Sequence, residues 1–203
     1  MLVAIVKKIK EFDWFYKRKL IHLSSISIIL FELFFGKELL AILIIFVSFL
    51  YFVSEVCRIK NVKFPIFQLI TKNCSNKKSL NSFISQPLHF ALGILISLLL
   101  FPKQAFYAGI TALIIGDCMA GIVGRNFGRI KIFYNRKKTL EGSLAFFVST
   151  FLFLSFITNF HLALIVALFG ALIESIFVKY ENLIIPLAVG SFYLLIKSFY
   201  IFV

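Results

Sequence analysis

Nine acidic residues interrupt a 203-residue chain that is 61% hydrophobic. Three of them, Asp117, Glu141 and Glu174, fall at the ends of long apolar stretches, where a charge is costly and therefore points to function. Asp117 lies about two helical turns before the end of the apolar segment 105–123, Glu141 opens the segment 140–158, and Glu174 sits about one turn before the end of 162–178. Antiparallel neighbours would bring the three carboxylates to a common level, facing loops rich in Arg and Lys. Carboxylates beside clustered cations at the mouth of a bundle are the ingredients for holding magnesium and a polyphosphate. Simple neutralisation by a neighbouring Lys or Arg explains one such acid well and three at equal depth poorly.

The segment GDCMAGIVGRNFGR (116–129) adds a second constraint. Gly116, Ala120, Gly124 and Gly128 recur every four residues, so on a helix they form one small-residue stripe that a second backbone or a ligand can approach closely. Helix packing alone would account for the stripe. The adjacent row of Asp117, Gly121 and Arg125 shifts the reading toward a binding surface. No GxxxxGK[ST] string occurs, and no GxGxxG follows a strand, so a nucleotide would not be held by either soluble phosphate-binding loop.

The elements that must position these residues are membrane spans. Mean hydropathy is +0.98 and 27 residues are Phe, more apolar surface than a soluble domain of this size can hide. Runs near the ~20 residues needed to cross a bilayer occur at 20–35, 39–57, 87–101, 105–123, 140–158, 162–178 and 183–203. They are continuous, without period-2 alternation, so the fold class is an all-α polytopic bundle forming a single integral membrane domain over 1–203. Basic residues cluster in blocks at 7–19, 58–78 and 125–138. An amino terminus in the cytoplasm puts all three blocks on one side, in the segment before the first span and in the inner loops 58–86 and 124–139, with Lys179 in the inner loop 179–182, as the positive-inside rule requires. The net charge of +13 then follows from topology and anionic lipid headgroups, and no nucleic-acid partner is expected.

Residues 1–19 read as an amphipathic interfacial helix, with Ile5, Ile9, Phe12 and Tyr16 at helical spacing among lysines. Charged residues run on to Lys19 before the first span begins and the start has no cleavage site of small residues, so the first span is expected to be retained. Cys57, Cys74 and Cys118 form no CxxC pair and imply neither a disulfide framework nor a zinc site. Arg18 and His22, one helical turn apart at the start of the first span, are candidate phosphate contacts, with interfacial snorkelling as the alternative for His22. His89 reads as a packing residue. Glu32, near the far end of the first span, is expected to pair with Lys37.

The pieces RKLIH (18–22), GDCMAGIVGRNFGR (116–129), KTLEGS (138–143) and ESIFVKYENLIIP (174–186) resemble, in order, the CTP-dependent lipid kinase family that includes dolichol kinase, phytol kinase and the yeast-type diacylglycerol kinase. The resemblance implies transfer of the terminal phosphoryl group of CTP to the hydroxyl of a membrane lipid with a divalent metal. It makes Asp117 and Glu141 the metal-binding and catalytic acids, and Arg125 and Lys138 phosphate contacts, with Glu174 and Asn182 lining the same mouth. Two departures stand out. Glu181-Asn182 replaces the family's Asp-Asn, and the loop 71–82 has no acid where relatives often carry Arg-x-x-Glu.

The expected mechanism places Mg2+ on Asp117 and Glu141, bridging the β- and γ-phosphates. Arg125, Arg129 and Lys138 neutralise developing charge, while Gly121, Gly124 and Gly128 allow close approach. The general base is Asp117 or Glu174. The acceptor, a polyprenol, dolichol or phytol type of alcohol, reaches the cytoplasmic face from the bilayer. Competing readings are a diacylglycerol kinase, a cytidylyltransferase making a CDP-lipid, and a transporter or flippase whose acids relay ions. Oligomeric state is left open.

Overall fold

A computed structural model describes residues 13–201. Ile5, Ile9 and Phe12 of the expected interfacial helix lie outside the described residues. The helices are α1 (Trp14–Ser24), α2 (Ser27–Ile59), α3 (Pro65–Cys74), α4 (Gln86–Leu100), α5 (Lys103–Thr111), α6 (Asp117–Phe127), α7 (Leu140–Leu154), α8 (Phe160–Ile176) and α9 (Glu181–Ile201). Three described stretches are long and apolar enough to cross a membrane: Trp14–Ile59, Lys103–Phe127 and Glu181–Phe199. Gln86–Leu100, Leu140–Leu154 and Phe160–Ile176 are shorter apolar helices. The molecule is an all-α membrane bundle.

Tyr16 belongs to α1, which leads into the first span with only a turn at Ser25 and Ile26. Inside α2, Gly36 takes φ 81 and ψ 166, a conformation that L side chains resist. The chain reverses there. Lys19 meets Asp117 and Glu32 meets Tyr107, so the first limb runs antiparallel to 103–127. The second limb brings Tyr51, Glu55 and Arg58 back to residues 80–84, at the level where Arg18 meets Gln86. With the first stretch folded into two limbs at Gly36, the described residues form seven apolar helical segments. Their ends lie within about six residues of those read from apolar runs.

The stretch Lys103–Phe127 is the axis of the bundle. Ala105, Phe106, Ile110, Leu113 and Ile114 are all but inaccessible, packed with Phe146 of α7, Val166 of α8 and Ile185, Val189 and Tyr193 of α9. Between α5 and α6 the helix widens into a π-turn over Ala112–Gly116, ending at Asp117. Such turns recur at functional positions. Pro186 inside α9 cannot donate to the carbonyl of Asn182. That carbonyl lies close over Gly93 of α4, where a Cβ would come within 2.4 Å of it. Lack of a side chain lets α4 and α9 touch.

One element departs from an all-helical reading. Lys131–Ile132 (β1) and Asn135–Thr139 (β2) form an antiparallel hairpin outside the spans, pairing Lys131 with Thr139 and Ile132 with Asn135. Asn135 Nδ2 donates to the carbonyls of Ser175 and Ile176, and Tyr134 Oη lies 2.6 Å from Ser175 Oγ, so the hairpin is pinned to the end of α8. The far end of the bundle carries its own correction: Glu32 accepts from Tyr107 Oη and pairs with Lys103 Nζ at 3.3 Å rather than with Lys37.

Candidate active site

Asp117 is 2% exposed at the first turn of α6. Lys19 of α1 reaches it through bonds of 2.6 Å to Oδ2 and 2.9 Å to the Asp117 carbonyl. Gly121 makes this approach possible, because a Cβ there would fall 2.5 Å from Lys19 Cε. The close approach expected at Gly121 therefore exists, and a lysine of α1 occupies it. His22, one turn after Lys19 on the same face, places Nδ1 3.8 Å from Asp117 Oδ2. That nitrogen is buried without a hydrogen-bond partner.

A second ion cluster faces the first. β2 delivers Lys138, whose ammonium donates to Glu174 Oε1 at 2.6 Å and Glu181 Oε2 at 2.9 Å. Ser143 Oγ, one turn into α7, holds the other oxygen of Glu174 at 2.8 Å. Burial by itself would lower the pKa of Lys138; the negative charges of Glu181, Glu174 and Asp117 more than offset this and hold it above the ordinary lysine value. Asp117 thus belongs to the same electrostatic neighbourhood as Lys138. Three carboxylates surround two ammonium groups, from five helices or strands that meet at the end carrying the basic blocks. Asn182, beside Glu181, is buried, and its Oδ1 has no hydrogen-bond partner.

Glu141 stands apart from this cluster. Its Oε1 accepts from the amides of Arg129 at 2.9 Å and Ile130 at 3.1 Å, closing the turn into the hairpin. Its neighbour Gly142 packs against Ala120 and Gly124, which sets Glu141 beyond Asp117 toward the hairpin. Among the described residues no group of three or more His, Cys, Asp or Glu side chains is arranged to hold a metal ion. A cation held jointly by Asp117 and Glu141 does not fit this arrangement. The acid that joins Asp117 and Glu174 is Glu181.

The small-residue stripe is a packing face. A Cβ at Gly116 would fall 2.4 Å from Thr150 Oγ1, at Gly124 2.9 Å from Thr139 Oγ1, and at Gly128 2.6 Å from Thr139 Cγ2. Gly124 and Gly128, expected beside a phosphate, lie under Thr139, which also caps α7 by accepting from the Gly142 amide. Arg125 is bound to Asp13 at 2.6 Å and lies over the Phe15 ring, fastening α1 to α6. Arg129, Lys131, Arg136 and Lys137 are exposed around the hairpin, at the mouth above Lys138. Arg18 Nη1 donates to Gln86, and its Nε is buried without a partner. His89 packs edge-on against Tyr180.

Two members of the cluster escaped the residue-by-residue reading. Lys19 sits inside the RKLIH string between the two residues singled out there, and its spacing of three from His22 was the available signal. Glu181 stands in the sequence as an acid in an inner loop at the start of the last span and as a departure from a family pattern, and neither signal assigns it a role.

No protein-family model matches the chain, and no solved structure does. Curated proteins do. The uncharacterized protein RP860 of Rickettsia prowazekii is 31% identical over 195 residues, covering 89% of this chain and 94% of that protein. A probable chloroplastic phytol kinase of Zea mays is 31% identical over 112 residues, which are 50% of this chain and 37% of the kinase. Dolichol kinase sec59 of Schizosaccharomyces pombe is 33% identical over 93 residues, 42% of this chain and 18% of that enzyme. The match to RP860 runs nearly end to end, whereas those to the two kinases span half of this chain or less and a minor part of each kinase.

Proposed function

Because the chain belongs to the same family as RP860 and shares a homologous segment with a phytol kinase and a dolichol kinase, we propose that it is a lipid kinase. The reaction moves the γ-phosphate of CTP to the hydroxyl of a membrane isoprenoid alcohol at the cytoplasmic face. The observation that carries this reading is the buried meeting of Asp117, Glu174 and Glu181 with Lys19 and Lys138 at the basic end of the bundle. Such a cluster is costly to bury for stability alone, since well-packed apolar residues serve that purpose as well or better.

Phosphoryl transfer asks mainly for positioning and charge neutralisation. The acceptor oxygen bonds to the γ-phosphorus, the bond from that phosphorus to the β-γ bridging oxygen breaks, and CDP leaves with the electron pair. The hydroxyl proton passes to the Asp117–His22 pair. Lys138 neutralises charge on the transferring group, and Arg129, Arg136 and Lys137 receive the polyphosphate at the mouth. The choice of CTP rests on the resemblance of 116–129 and 138–143 to the CTP-dependent kinases. A divalent cation bound to the nucleotide as its counter-ion would supply further charge neutralisation.

Incubating the purified protein with γ-labelled CTP or ATP and a panel of lipid alcohols tests the reading. Labelled lipid phosphate together with CDP is expected. Pyrophosphate with a CDP-lipid product would mark a cytidylyltransferase instead, and diacylglycerol as the preferred acceptor would move the substrate class.

A further inference from the structure

A cavity of about 400 Å³ lies between α1, the second limb of α2, α3 and α4. It falls within the ~300–1,000 Å³ range of small-molecule sites. Its walls are apolar, with Leu40, Ile44, Val47, Phe67, Phe90 and Ile94 along its length. Val47 on its wall is 43% exposed, and the cavity is open to the surface of the bundle rather than enclosed. Its polar groups include Arg18, His22 and Gln86.

His22 is the residue that gives this cavity chemical meaning. It lines the wall, it is 7% exposed, and its Nδ1 is buried without a hydrogen-bond partner. A buried polar atom left unpaired costs free energy that a ligand group can recover. The same nitrogen stands 3.8 Å from Asp117 Oδ2. His22 is therefore the wall between an apolar compartment and the buried ion cluster, and Phe90 fixes its ring from the cavity side with centroids 4.5 Å apart.

We infer that this cavity holds the tail of a single-chain isoprenoid alcohol, with the hydroxyl donating a hydrogen bond to His22 Nδ1 beside Asp117. The inference rests on the kinase reading for the fate of that hydroxyl, and on the cavity alone for the tail. It moves His22 from the phosphate-binding role to the acceptor. An apolar tail suits the walls. The volume takes the proximal part of one tail, and the remainder extends into the bilayer past Val47. A phosphorylated lipid would bring two or more charges against a single Arg18, whose guanidinium is already bonded to Gln86.

The test uses a photoreactive diazirine analogue of geranylgeraniol on the full chain in lipid nanodiscs, with mapping of the labelled peptides. Labelling is expected on the second limb of α2 and on α3 around Phe67 and Cys74. Excess geranylgeraniol should compete it away and diacylglycerol should not. Ala91→Phe, which pushes a ring into the cavity, should abolish it. In the turnover assay His22→Phe should lower kcat/KM for the alcohol about tenfold with the KM for CTP unchanged. His22→Asn, which keeps an acceptor near the Nδ1 position, should restore most of it. Labelling elsewhere overturns the inference whatever the catalytic result, as does stronger competition by diacylglycerol. If Ala91→Phe does not fold, the peptide map of the unaltered protein decides. A labelled cavity in a protein that phosphorylates no alcohol rejects the kinase reading and leaves the lipid site standing.

Discussion

Replacing Lys138 with Met leaves Glu174 and Glu181 facing each other with no cation between them. Both carboxylates bond this one ammonium group, at 2.6 and 2.9 Å, and the Lys138 side chain is only 14% exposed. Removing one partner of a buried ion pair costs about 3–5 kcal/mol, because the remaining charge stays buried. Partial exposure of Lys138 and Glu181 argues for the lower end, about 3 kcal/mol. At roughly 2–4 °C per kcal/mol for a chain of this size, Tm falls by about 6–12 °C. Thermal unfolding of the purified protein in detergent, followed by near-UV circular dichroism, reads this directly. Adding Glu181→Gln to Lys138→Met removes one orphaned charge and is expected to restore part of the loss. A Tm unchanged within 2 °C in Lys138→Met, or a further fall on adding Glu181→Gln, would refute the view that this lysine bridges two buried carboxylates.

Three further outcomes follow from the same geometry. A lysine whose pKa is raised by folding contributes stability that is fully present below its ordinary value of 10.5 and is lost only as pH rises through the higher folded value; the Tm difference between wild type and Lys138→Met should therefore be constant from about pH 6 to pH 9, and a difference that vanishes in that window contradicts the assignment. Gly121→Val places methyl groups where Lys19 Cε lies, so turnover should fall by about a hundredfold or more with the helical circular dichroism retained; full turnover would show that Lys19 need not reach Asp117. Glu141→Gln should keep most turnover but speed amide exchange at Arg129 and Ile130, the two groups its carboxylate accepts from. Loss of turnover with unchanged exchange would return Glu141 to the catalytic set.

Much of the bundle is legible in sequence because lipid demands continuous apolar runs, and such runs show their ends. The depth of Asp117 and Glu174 is legible for the same reason. What a span cannot show is who stands opposite. The period of four in Gly116, Ala120, Gly124 and Gly128 identifies a face that something approaches closely, yet Thr139 of the hairpin and Phe146 and Thr150 of α7 could be named only from the fold. Glu141 has the right depth and a different partner, since backbone amides of the hairpin turn toward it. The hairpin itself lacks apolar alternation in KIFYNRKKT and is held by Asn135 and Tyr134 on the end of α8. Lys19 was hidden by composition: in a block of cations assigned to topology, nothing marks the one that turns inward.

The most direct measurement of the central claim is CTP-dependent phosphorylation of an isoprenoid alcohol by the wild type and by Asp117→Asn, each first shown to be folded by its unfolding transition. Lipid phosphate from the wild type and none from folded Asp117→Asn is the predicted result. Equal turnover by the two proteins would contradict the account, because no phosphoryl transfer built around Asp117, Lys19 and Lys138 can survive the loss of that carboxylate charge.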